Sequence, residues 1–179
     1  TPSGKIEVFS DKIAALELPD CGGHPAWFPP VEGTFEGAGD VFHLISNQPK
    51  TRLHGQLDNG PVAKASKTKG RETCTMQTGA AQALGFAEGD VLLLDNARGG
   101  CLAGVQFDPD MRADCIVLPT GAWLDMQETP AGRICVHGNP NVLTIDKGTS
   151  SLAQGNIAHT TVVKASKWQG ALPDITVHE

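Results

Sequence analysis

No apolar run in this chain approaches the roughly 20 residues a helix needs to cross a bilayer. Val91-Leu92-Leu93-Leu94 is typical of its longest runs, so no membrane partner is expected. The start shows no charged-then-apolar leader, and no targeting signal is read there. Opening at Thr1 without methionine is what a trimmed or excised segment would give. An excess of basic charge is also missing. A formal net charge of −6 leaves no basic face for a phosphate backbone, so nucleic acid is not an expected partner. Cys21, Cys74, Cys101, Cys115 and Cys135 form no CxxC pair, and their odd number argues against a disulfide framework. Cys101, Cys115 and Cys135 sit among apolar residues, where a free thiol behaves as a small hydrophobe. The reading is a reducing, cytoplasmic setting, with the bacterial periplasm as the alternative. Catalytic signatures are absent as well. There is no GxSxG elbow, no GxxxxGKS/T phosphate loop and no HExxH, and Gly37-Ala38-Gly39 lacks the third glycine of a dinucleotide fingerprint. That triplet reads as a linker, and no catalytic residue is assigned.

What is present is ordinary globular material, with 40% hydrophobic and 19% charged residues among 179. Residues 1–39 read as an arm and linker, since Pro19, Pro25, Pro29, Pro30 and several glycines crowd their second half. Within that arm, Lys5-Ile6-Glu7-Val8-Phe9 alternates as a short strand would. Residues 40–170 read as the compact domain and 171–179 as a loose tail. Strands are expected at 41–45, 73–76, 91–95, 101–107, 115–118 and 160–165, with residues 58–72 as a polar excursion. A short helix at 79–84 is expected to be capped by Thr78 and stopped by Gly85. A five-residue turn at 96–100 should fold two of the strands into a hairpin. Many short strands with few helices and no repeat point to a closed, mainly β barrel.

Two segments carry unusual numbers of amides and hydroxyls at the ends of apolar runs. The first is FHLISNQPKTRLHGQLDNG at 42–60 and the second NVLTIDKGTSSLAQGN at 141–156. Such loops suit a large polar ligand better than a nucleophile or a metal. In the first, Arg52 offers a rigid fork for pyrophosphate oxygens, while His54 and Gln56 could meet ring edges; a polar loop with a packed histidine fits equally. In the second, Asn141, Gln154 and Asn156 can each donate and accept toward a heterocycle, but a capped short helix ending at Gly155 also accounts for residues 148–156. Cys21-Gly-Gly-His24 and Cys135-Val-His137 have spacings a metal could use. Without two close pairs they read as loop and packing residues, and no metal ligand is assigned. Asp95, Asp108, Asp110 and Asp125 read as turn and surface acids, and Trp27, Trp123 and Trp168 as packing residues.

Several phrases, in order, resemble the C-terminal domain of molybdopterin oxidoreductases of the dimethyl sulfoxide reductase family. They are Thr1-Pro2-Ser3-Gly4-Lys5-Ile6-Glu7, Leu44-Ile45-Ser46-Asn47-Gln48-Pro49, Arg52-Leu53-His54-Gly55-Gln56, Gly138-Asn139-Pro140-Asn141-Val142-Leu143-Thr144 and residues 148–156. The wording is nearest the branch that reduces biotin sulfoxide and trimethylamine N-oxide. The resemblance implies a double-psi β-barrel of the aspartate decarboxylase-like type, covering one side of a bis(molybdopterin guanine dinucleotide) molybdenum cofactor shared with N-terminal domains. Asn47, Gln48, Arg52, Leu53, His54 and Gln56 would contact one dinucleotide, and Asn141, Gln154, Gly155 and Asn156 the other. Gly55 stands where relatives often have serine, so a hydroxyl contact is expected to be missing there. The family's metal-ligating side chain lies in its N-terminal domains. The chain alone is therefore expected to bind and orient without catalysing. The rival reading is a stand-alone barrel module without redox activity.

Overall fold

The computed structural model describes residues 1–33 and 39–178; the Gly37-Ala38 part of the linker reading lies outside them. The chain forms two compact units, Thr1–Val31 with Ile145–Ala158, and Glu32–Thr144 with His159–Glu179.

The larger unit carries eight strands among the described residues: β1 (Val41–Ile45), β2 (Thr73–Gln77), β3 (Val91–Asn96), β4 (Gly99–Asp108), β5 (Cys115–Val117), β6 (Met126–Thr129), β7 (Gly132–Cys135) and β8 (Thr161–Lys167). Six run in the order β2-β5-β1-β8-β3-β4 and close on themselves through β2–β4 pairing. The β6–β7 hairpin extends the sheet from β4. The β1–β5 and β2–β4 pairs are parallel, and the other four pairs in the ring are antiparallel. This is the closed, mainly β, double-psi barrel that the family phrases imply.

Alternation builds the core. Phe42 and Leu44 of β1, with Cys74 and Met76 of β2, point inward against Leu92, Leu94 and Ile116. Strand β4 breaks the alternation because both of its faces are covered. Its Cys101, Ala103 and Val105 enter the barrel, while Leu102 joins a second cluster with Val91, Ile134 and Val136 outside it. Full burial of a residue such as Leu102 contributes roughly 1.5–3 kcal/mol. Gly104 is required where Thr68 crosses β4, because a Cβ there would lie 2.2 Å from Thr68 Cβ. All five cysteines are free, and burial pushes the Cys74 thiol up to about 12, far from a reactive thiolate.

Several local expectations are corrected. The helix α3, which follows α1 (Asp11–Ala14) and α2 (Pro61–Ala65), spans Thr78–Ala83 and is capped by Gln77. The Gln77 amide oxygen accepts from Ala80 N at 2.7 Å, which leaves Thr78 as the first helical residue. Gly85 does follow the helix with φ +75°. The hairpin turn is only Ala97-Arg98, since Asn96 and Gly99 already pair. Residues 5–9 form no strand, having no neighbour to pair with among the described residues. No helix forms at 148–156. There Ser150 Oγ accepts from Ala153 N at 2.9 Å and a bridge joins Gly148 to Asn156, so side-chain bonds outcompete the helical ladder. Trp27, read as a packing residue, is exposed.

Asp125 is no surface acid. It is buried, and its carboxylate accepts from Gln127 Nε2, Thr176 N, Thr176 Oγ1 and Val177 N. Those bonds fasten residues 176–177, in the stretch read as a loose tail. Elsewhere in the larger unit, Glu32 grips Arg98 with both carboxylate oxygens and accepts from Val162 N at 3.0 Å. The Arg98 guanidinium holds the Glu32 carboxyl below its ordinary 4.5, against a smaller opposing effect of burial. A depressed acid stabilises the fold above its unfolded value and loses that contribution as pH falls through the folded value. Urea unfolding followed from pH 6 downward should show Glu32→Gln losing about 1 kcal/mol at pH 6 and converging on the unaltered chain in acid.

Candidate functional site

The turn after β1 is held open by its own backbone. Leu53 and Gln56 bridge across it, with Gln56 N donating to Leu53 O at 3.0 Å, and Gly60 N donates to Leu57 O at 2.9 Å. His54 and Leu57 both sit in the left-handed region, at φ 49° and 60°. Such conformations disfavour residues with a Cβ and persist only where surroundings impose them.

Residues 120–123 are what impose them. Gly121 lies so close that a Cβ on it would stand 2.1 Å from His54 O. The Trp123 indole N–H donates to Gly55 O at 2.6 Å, and Trp123 N donates to Asp58 Oδ2 at 3.0 Å. Thr120 N donates to Asn47 O at 2.9 Å, while Thr120 O accepts from Arg52 Nη2 at 3.1 Å. One short segment thus fixes the Asn47 backbone, the Arg52 side chain and the 53–58 turn together.

Beneath the turn lies a ring of four buried charges. Asp58 Oδ1 is 2.8 Å from Lys67 Nζ and 3.3 Å from Arg52 Nε. Glu72 Oε2 is 2.8 Å from Arg52 Nη2 and 2.9 Å from Lys67 Nζ. None of these side chains is more than 5% exposed, so each charge depends on its partners for solvation. Burial alone would raise the Asp58 carboxyl; Lys67 and the Trp123 N–H outweigh it and hold the carboxyl below its ordinary value. Asp58, Lys67 and Glu72 were not assigned from sequence, where residues 58–72 read as an excursion. Their partners lie too far along the chain for spacing to reveal them.

A cleft of about 650 Å³ opens on the same unit. Asn47, Gln48, Thr51 and Ser66 supply polar edges, Phe107 and Met111 supply apolar faces, and Glu72 reaches it from the charge ring. Pockets that combine apolar faces with a few placed polar groups are the usual form of a small-molecule site.

Of the residues singled out from sequence, Asn47 and Gln48 are exposed and line this cleft. Leu53, His54 and Gln56 are exposed on the turn. Arg52 points inward: two of its guanidinium nitrogens serve Asp58, Glu72, Thr120 O and His54 O, and Nη1 has no partner among the described residues. Asn141 lies exposed in a helical turn at Pro140–Val142, which Asn139 caps by accepting from Asn141 N at 2.9 Å. Gln154, Gly155 and Asn156 are exposed on the smaller unit, where Gln154 Nε2 donates to Ser150 O at 3.2 Å. At Gly55 a Cβ would meet Gly121 O at 3.3 Å and the Trp123 ring at 3.5 Å, so the indole occupies the side where a serine would add its hydroxyl.

A closed six-stranded barrel with an amide-edged cleft defines a ligand-binding domain. Residues 42–162 match the family described as molydopterin dinucleotide binding domain, and the chain belongs to that family. It is 41% identical over 174 residues to biotin sulfoxide reductase of Cereibacter sphaeroides, covering 97% of this chain and 23% of that protein. It is 40% identical over 181 residues to trimethylamine-N-oxide reductase 1 of Escherichia coli strain K12, covering 98% of this chain and 21% of that one. The chain therefore spans between a fifth and a quarter of the length of these relatives. In structure it is similar to acetylene hydratase from Pelobacter acetylenicus, with a TM-score of 0.73, 17% identity and coverage of 94% of this chain and 24% of that one, a likeness of fold. The domain is thus a molybdopterin dinucleotide-binding domain homologous to S-oxide and N-oxide reductases. Nothing in the comparisons supports the stand-alone, non-redox module. No helix among the described residues is long and apolar enough to cross a membrane.

Proposed function

We propose that this chain is the cofactor-binding domain of a molybdenum reductase acting on S-oxides or N-oxides, and that it holds bis(molybdopterin guanine dinucleotide) jointly with domains it does not contain. The observation that carries this is the cleft bearing Asn47 and Gln48, in a chain whose family binds molybdopterin dinucleotides. The residues fit such a ligand. Amide edges pair with the donor and acceptor pattern of guanine or pterin, Phe107 offers a face for a flat ring, and Arg52 keeps one guanidinium nitrogen uncommitted among the described residues. Asn47, Gln48, Arg52, Leu53, His54 and Gln56 would hold one dinucleotide, and Asn141, Gln154, Gly155 and Asn156 the other. The bound molybdenum group supplies the redox chemistry. This chain's residues bind it, orient it and keep water from its polar edges. Residues 1–39 would be the arm, 40–170 the barrel and 171–179 the tail of the domain, working in a reducing, cytoplasmic setting or the bacterial periplasm.

A site completed by other domains should be weak when alone. Chemical-shift titration of this chain with guanosine monophosphate should show millimolar binding, with the shifts centred on the amides of Asn47, Gln48 and their cleft neighbours. Nanomolar affinity would mean the site is complete here. Shifts confined to other surfaces would remove the cleft from the reading. In the full-length protein, turnover of a reduced viologen dye with sulfoxides or amine N-oxides is expected, biotin sulfoxide first. Activity restricted to formate or nitrate would overturn the oxide-reductase assignment while leaving the cofactor domain in place.

A further inference from the structure

On the far side of Asp58 from the charge ring stand two histidines that the cofactor reading leaves unused. The carboxylate divides its work between its oxygens. Oδ1 faces Lys67 and Arg52. Oδ2 accepts from Trp123 N and looks toward both imidazoles, 3.7 Å from His137 Nδ1 and 3.9 Å from His178 Nε2. His137 is wholly buried and the His178 side chain is 13% exposed, and their rings meet edge to face with centroids 4.9 Å apart. His137 Nδ1 lies 2.9 Å from Trp123 O. A carbonyl can only accept, so Nδ1 carries the proton and Nε2 keeps its lone pair. That Nε2, and both ring nitrogens of His178, have no hydrogen-bond partner among the described residues. A buried imidazole nitrogen without a partner is costly unless something binds it.

We propose that Asp58, His137 and His178 form a binding site for a divalent transition-metal ion of the zinc type, which clips residues 176–178 onto the barrel. One candidate ligand atom from each residue lies within 4.8 Å of the other two. Bonds to such a metal are about 2.0–2.2 Å long, so binding draws the three ligand atoms closer together than they stand here. Two imidazoles and one carboxylate are the ligand types that favour zinc over magnesium or calcium. The Trp123 carbonyl supplies the outer partner that ordinarily orients a ligating histidine. Arg52 and Lys67 are balanced by Asp58 and Glu72 and face the other carboxylate oxygen. They weaken the site without blocking it. The role is structural, and it stands independently of the molybdopterin reading.

The test is calorimetric titration of the chelator-stripped chain with zinc chloride, alongside cobalt chloride titration read by visible absorption. One equivalent of zinc should bind, raise the melting temperature and be matched by cobalt bands typical of four- or five-coordinate nitrogen and oxygen ligation. His178→Ala, on the fastened end stretch, should weaken zinc by at least about tenfold and abolish the thermal shift. His24→Ala, on the smaller unit, should change neither. His137→Ala should act like His178→Ala; if it fails to fold, His178→Ala alone decides. No uptake by the unaltered chain, or uptake undiminished in His178→Ala, overturns the site.

Discussion

Truncating Asp58 to alanine is expected to destabilise the chain by about 3–5 kcal/mol, the usual cost of removing one member of a buried ion network. The magnitude follows from what the truncation leaves behind. Lys67 would keep Glu72 as its only described acid partner, and Arg52 would lose the contact at 3.3 Å, with neither side chain more than 1% exposed. Trp123 N would also lose its acceptor. Urea unfolding at pH 7 measures the loss. The discriminating variant is the double substitution Asp58→Asn with Lys67→Met, which removes a charge of each sign together. It should recover much of the loss, because uncompensated charge is the main penalty. A cost below about 1 kcal/mol for Asp58→Ala would show that water reaches the ring and screens it.

The barrel was legible in the sequence because its strands speak locally. Phe42 and Leu44, or Cys74 and Met76, announce a buried face by alternation, and the order of the family phrases identifies the closed topology. The charge ring was not legible, because nothing near residue 58 says that its partners stand at 52, 67, 123, 137 and 178. Leu57-Asp58-Asn59-Gly60 has the composition of a solvated turn, and only tertiary structure buries one residue of it. Asp125 was misread for the same reason, since three of its four bonds go to residues 176–177. Arg52 shows a subtler limit. Its residue type suits a phosphate, but its direction is set by Asp58 and Glu72. Local rules failed, too, where side chains compete with backbone, as at Gln77, where an amide took the cap a hydroxyl was expected to fill.

Gly121→Ala should have the largest effect on the candidate site for the smallest change in composition. Gly121 sits at φ +89°, where an alanine is strained by about 1–3 kcal/mol whatever the space around it. Space is also lacking: the new Cβ would fall 2.1 Å from His54 O and 2.8 Å from Gly55 N, both backbone atoms that cannot swing aside. The 53–56 turn must therefore shift. That movement would pull on Arg52, whose Nε donates to His54 O at 3.1 Å, and on the indole bond from Trp123 to Gly55 O. The expected outcome is a fall in stability of about 2–4 kcal/mol, with backbone amide shifts concentrated at residues 52–58 and 120–123. In the full-length protein the same substitution should lower molybdopterin content more than its loss of stability explains, because the turn that carries His54 and Gln56 would be displaced. Leu102→Ala, which empties a buried position in the second cluster outside the barrel, serves as the control for general loss of stability. If Gly121→Ala lowers stability but leaves cofactor content equal to that control, the 53–56 turn is structural and does not belong to the ligand site.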